Sequence, residues 1–155
     1  MGRIFLAIFF LLPICGFCRS SDIRHFEIKV EPWGRIADGG TFAVITDDSI
    51  KITYSRTLFD SVETYTRLLS EQERRRIKSK LRKIDLSSLK EDYTNEHAGD
   101  CGGEFDFVLT INEVRKKFHI YKVKVDSVFN LIAEINKMLP ERFQIEYNDE
   151  YFRWS

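Results

Sequence analysis

Cysteine is nearly absent from the body of this chain. Of three cysteines in 155 residues, Cys15 and Cys18 lie at the amino terminus, and only Cys101 stands further on. With the first twenty residues removed, an intramolecular disulfide is excluded and stability must come from a packed core. Methionine is also scarce, with two residues against thirteen phenylalanines, which predicts packed sheets and helices rather than an adaptable Met-rich surface. No Asn-x-Ser/Thr sequon occurs, so nothing supports a eukaryotic secretory life, and a bacterial periplasmic or surface protein is the better expectation. Charge of either sign is not in excess: 24 Lys and Arg balance 24 Asp and Glu. No global field recruits nucleic acid or a membrane surface. A nucleophile elbow, a Walker loop, an HExxH pair and a Rossmann fingerprint are all missing. The reading therefore assigns no catalytic residues, no metal ligands and no cofactor.

What is present begins with a leader. Met1-Gly2-Arg3 is a short basic start, and Ile4 to Ile14 is an apolar run of signal-peptide length, too short to span a bilayer. Small side chains permit cleavage after Ser20 or after Cys18, so residues 1–20 are read as a signal peptide and the protein as exported. The leader takes away Arg3 and Arg19 and no acid, which leaves the mature chain two acids in excess. A lipid anchor on Cys15 or Cys18 is the competing reading. It is weakened by Ile14 and Phe17, which stand where a lipoprotein signal needs a small residue. No transmembrane span is expected in the mature chain.

Residues 21–155 read as one compact α+β domain. His25 to Glu31 alternates apolar and charged side chains as a half-buried strand, which Pro32-Trp33-Gly34 ends. Thr41 to Thr46 and Ile50 to Arg56 form a hairpin about Asp47-Asp48-Ser49. Residues 57–69 are ambiguous, a loop with one helical turn. Ser70-Glu71-Gln72-Glu73 is a capping box opening a helix to about Lys83, with Ile77, Leu81 and Ile84 as a thin apolar stripe. After a connection holding Leu86, Leu89 and Tyr93, Glu104 to Ile111 and Val114 to Val125 form a second hairpin. Asp126-Ser127 caps a richer helix, about 128–139, stopped by Pro140. Phe143 to Tyr147 reads as a last strand.

Two stretches resemble one another. Asp38-Gly39-Gly40-Thr41-Phe42 introduces the first hairpin and Asp100-Cys101-Gly102-Gly103-Glu104-Phe105 the second. Each hairpin precedes one helix, so the chain reads as two tandem strand-hairpin-helix units, about 25–84 and 89–140. The match covers only about five positions, and glycine pairs before strands are common for backbone reasons alone. The expected fold is an antiparallel sheet with two helices on one face, the second across the core and the first at its edge.

Three groups of side chains are candidate sites. In the loop 96–104, Glu96, His97, Asp100 and Cys101 could hold a metal, or Cys101 could be a reactive thiol with His97 as its base. Zinc spacings need a second ligand pair, which is missing, and no helix terminus or cation is evident to lower the thiol pKa. The bland alternative, a tight loop whose Asp caps backbone amides, takes most of the weight. Within the run Glu73 to Lys83, the ten positions from Arg74 carry seven basic residues and expose Arg74, Arg75 and Arg76 to an acidic partner. Charges flanking a thin apolar stripe are more often a solvated helix edge. Trp33 and Arg35 are residue types favoured in interface hot spots, although Trp33 could equally cap the core.

The leading expectation is an exported, non-enzymatic binding module that binds or inhibits a protein partner at the cell envelope. Its rivals are a small metal-binding or thiol-dependent enzyme using the loop 96–104, and a structural envelope lipoprotein.

Overall fold

The computed structural model of the protein describes residues 22–33, 40–55, 62–97, 104–149 and 151–152, with Trp33 described by its backbone alone. The leader 1–20, with Cys15 and Cys18, lies outside the described residues, as do Arg35, Asp38-Gly39, Asp100-Cys101 and Trp154. No helix among the described residues is long and apolar enough to cross a membrane.

Alternation of side chains sets the architecture. Strand β1 (Phe26–Trp33) turns Phe26, Ile28 and Val30 inward and Glu27, Lys29 and Glu31 outward. The same in–out alternation runs through β2 (Gly40–Thr46), β3 (Ser49–Ser55), β6 (Glu104–Ile111) and β7 (Val114–Tyr121), with Phe42, Val44 and Val108 as apolar residues in the outward phase. With β4 (Glu63–Leu68) and β5 (Asp92–Thr94) they make a seven-stranded sheet in the order β4-β3-β2-β1-β6-β7-β5. All neighbours are antiparallel except β5, which runs parallel to β7.

Helices α1 (Glu71–Leu81) and α2 (Asp126–Asn136) cover one face, which confirms the α+β class. Helix α1 contributes Ile77 and Leu81 to the core, and α2 contributes Val128, Leu131, Ile132 and Ile135, as their unequal apolar stripes predict. Below α2 the rings of Phe107 and Phe118 stack with centroids 5.3 Å apart, and Tyr147 meets Phe107 edge-on. Ser70 caps α1 through the reciprocal bonds of a capping box with Glu73, as the sequence indicates.

Strand placement does not repeat between 25–84 and 89–140. Strand β1 lies antiparallel beside β2, whereas β5 lies parallel beside β7, and β4 has no counterpart among the described residues. Four local expectations also need correction. Strand β1 continues through Pro32 to Trp33, opposite Phe105 and Glu104. Beyond Val30 its ladder to β2 has ended, so the missing proline amide breaks no rung there. A Cβ on Gly40 would sit 2.5 Å from Cγ of Pro32, so glycine is what lets β2 begin against that ring.

Strand β4 occupies part of the ambiguous stretch 57–69. Its alternation, Thr64 and Thr66 against Tyr65 and Arg67, carries little apolar signal, and it forms because β3 offers an edge. Helix α2 begins at Asp126 rather than 128, with Val125 at its cap and no side-chain cap bond. Tyr147 replaces that cap. Its hydroxyl accepts the Val125 amide at 2.8 Å and donates to the Val123 carbonyl at 3.1 Å. Residues 143–147 are not a strand. A 3-10 turn spans Glu141–Phe143, and the backbone of Ile145 is satisfied by the Asn136 side chain instead of a ladder.

Candidate functional site

The sheet face away from the helices is uncovered among the described residues, and its chemistry concentrates on β5, β6 and β7. Antiparallel register puts Asp106 opposite His119, Glu104 opposite Tyr121 and Val108 opposite Lys117, all on this face. Around them lies an open depression of about 900 Å³, rimmed by Glu91, Asp92, Arg115 and Lys116.

At its centre His119 lies between two carboxylates. Nδ1 is 3.0 Å from Asp106 Oδ1, and Nε2 is 3.4 Å from Glu104 Oε2. The other oxygen of Asp106 is 2.9 Å from Lys117 Nζ. Burial alone pushes the Asp106 carboxyl upward, but hydrogen bonds from Lys117 and His119 prevail and hold it below its ordinary value. Lys117 is raised in turn, first by its bond to Asp106. The result is a row of two acids, an imidazole and an ammonium on neighbouring strands, with an imidazole whose two nitrogens both face carboxylates. Such an arrangement fixes position and charge sign. Among the described residues no three His, Cys, Asp or Glu side chains form a group that could hold a metal ion.

The residues singled out in the sequence are scattered. Trp33 lies at the end of β1, its backbone opposite Glu104 and therefore beside the depression, while Arg35 lies outside the described residues. His97 is exposed just beyond β5, with its amide donating to Asn95 Oδ1 at 3.1 Å. Asp100 and Cys101 lie outside the described residues.

On α1, much of the positive charge meets the chain's own acids. Arg74 lies 3.8 Å from Asp48, Arg75 pairs with Glu71 one turn earlier, and Lys78 reaches Asp47 at 4.0 Å. Arg76 is exposed. The acids of the β2–β3 turn thus act structurally. Asp47 also accepts the Phe26 amide at 3.1 Å and faces His25 Nδ1 at 2.9 Å.

Glu104, Asp106, Lys117 and His119 are the group that sequence reasoning missed. The signal is present as the outward phase of two strands. Their convergence depends on a register that only the Ile111–Val114 turn sets. No protein-family model matches the chain, and a search of curated proteins returns no match.

Proposed function

We propose that this chain is an exported, non-enzymatic binding module whose protein partner docks on the uncovered sheet face over β6 and β7. The observation that carries the reading is the Glu104–His119–Asp106–Lys117 chain, held by the sheet in an open depression. Small-molecule sites are concave and mostly apolar, whereas this surface is broad and mixes acids with bases. Charges already paired and fixed lose little freedom when a complementary surface arrives, which gives orientation and specificity. Helix α1 also carries charges paired within the chain, Arg74, Arg75 and Lys78, but along a helix edge rather than around the depression. Export rests on the leader 1–20.

The test is capture from envelope extract by the purified protein. The double variant Arg115→Glu/Lys117→Glu is compared with the triple variant Arg74→Glu/Arg75→Glu/Arg76→Glu. Loss of a captured protein with the sheet-face variant, and its retention with the helix variant, supports the assignment. The reverse pattern moves the interface to α1, and equal capture by both variants removes charge from it.

A further inference from the structure

Strand β4 is an edge of the sheet, with β3 on one side and no strand on the other among the described residues. Folded proteins blunt such edges with proline, lysine or a bulge, because a free edge is a template for another strand. Strand β4 has no proline and no lysine, and its ladder runs unbroken from Ser49–Leu68 to Tyr54–Glu63. Large apolar side chains stand out at both ends, Val62 at 61% exposure and Leu68 at 77%.

The segment 62–68 (VETYTRL) is complementary to itself read backwards. Placed antiparallel on a second copy with Tyr65 at a two-fold axis, Val62 meets Leu68, Glu63 meets Arg67 and Thr64 meets Thr66. These are an apolar pair, an opposite-charge pair and a threonine pair, all favourable directly across an antiparallel ladder. Opposed residues also share a face. Arg67 and Tyr65 lie opposite the buried Ile50 and Ile52 of β3, while Thr64 and Thr66 lie opposite Thr53 and Lys51 on the uncovered side. Arg67 and Glu63 already have partners in their own chain, Glu73 at 2.8 Å and Arg142 at 3.1 Å, so the apolar and threonine pairs carry the register.

We infer that two copies of this chain associate through β4, antiparallel about Tyr65, joining their sheets edge to edge in a closed two-fold dimer. This is independent of the partner surface on β6 and β7, which lies on the other side of β1 in the sheet.

Sedimentation velocity over a concentration series of the full chain tests it. Wild type is expected to pass from monomer to dimer mass, and no further. Two double variants then probe the register, V62K/L68K with like charges opposed and V62E/L68K with opposite charges opposed. The first is expected to dissociate roughly tenfold or more readily than the second at low salt. Wild type that stays monomeric to its solubility limit, open association beyond the dimer, or two double variants that behave alike would overturn the inference. Circular dichroism checks each fold. A variant that fails this check is replaced by T64K/T66K against T64E/T66K, with the same expected order.

Discussion

The guanidinium of Arg67 and the carboxylate of Glu73 meet in two parallel hydrogen bonds, 2.8 and 3.0 Å long, that tie β4 to the first turn of α1. A further bond from Arg67, 3.1 Å to the Met138 carbonyl, brings in the chain just beyond α2. Glu73 also closes the capping box with Ser70, so one carboxylate serves a helix end and a sheet edge together.

This carboxylate gives the fold an acid dependence of known sign. The Arg67 bond, with those from Ser70, lowers Glu73 from 4.5 to about 2 despite some burial. A depressed carboxyl stabilises fully above its unfolded pKa and loses that contribution as pH falls toward its folded value. Between about pH 4.5 and 2 the protein should lose roughly 1–2 kcal/mol from this group, allowing for solvent screening. Asp106 acts in the same direction. Urea unfolding of wild type and Glu73→Gln at pH 7 and pH 2.5 measures it. The gap between them should narrow at low pH, and a gap independent of pH would assign the loss to other groups.

Asn136 is buried on α2 and holds the backbone of Ile145 from both sides, donating to its carbonyl at 2.9 Å and accepting its amide at 2.8 Å. Asn136→Leu orphans both groups in the core. It should cost roughly 2–4 kcal/mol in urea unfolding. Hydrogen exchange should show the amide of Ile145 losing protection first, and unchanged protection there would remove Asn136 from the anchoring of this segment.

Asn112 has a positive φ of 55° in the two-residue β6–β7 turn, a conformation asparagine tolerates. Its Oδ1 accepts the Arg24 and His25 amides at 2.8 and 3.2 Å, which pins the entry of β1. Asn112→Gly keeps the turn and deletes the pin, whereas Asn112→Ala disturbs both. Thermal unfolding should therefore rank them wild type, glycine, alanine, with the alanine loss about 1–2 kcal/mol. Equal losses would mean that the turn conformation contributes nothing measurable.

Tyr147 is almost fully buried, and burial pushes its phenol well above its ordinary pKa. Its hydroxyl stands in for the missing cap of α2. Tyr147→Phe leaves the ring packing and removes both bonds, so unfolding experiments should register about 1–3 kcal/mol. Spectrophotometric titration of the native protein should find one tyrosine that ionises only when the fold is lost. A phenolate formed with the fold intact contradicts the burial.

The legible parts of this fold are those where local chemistry and tertiary role agree. Phe26, Ile28 and Val30, or Phe105, Phe107 and Leu109, alternate because one sheet face meets the helices, and Ser70 and Glu73 mark a helix start within four residues. Illegible parts depend on partners distant in sequence. Nothing near Val125 announces that Tyr147 will cap it, and Ile145 looks like a strand residue until Asn136 satisfies its backbone. Strand β4 hides because Thr64, Thr66 and Arg67 are polar. The Asp106–His119 pair escaped the sequence for a related reason. Histidine and cysteine in a glycine-rich loop draw notice, whereas Asp106 and His119 are ordinary outward residues until register brings them to 3.0 Å.

Strand β1 is the first strand in sequence and the middle one in space, with β2 on one flank and β6, some eighty residues later, on the other. While the chain grows, half of the pairing that β1 requires does not yet exist. The first hairpin can form early, but its sheet stays open along β1 until Ile111 is available to meet Phe26. Such long-range closure makes folding slow and late. A polypeptide built this way keeps its central strand half unpaired until 111 of its 155 residues have been made.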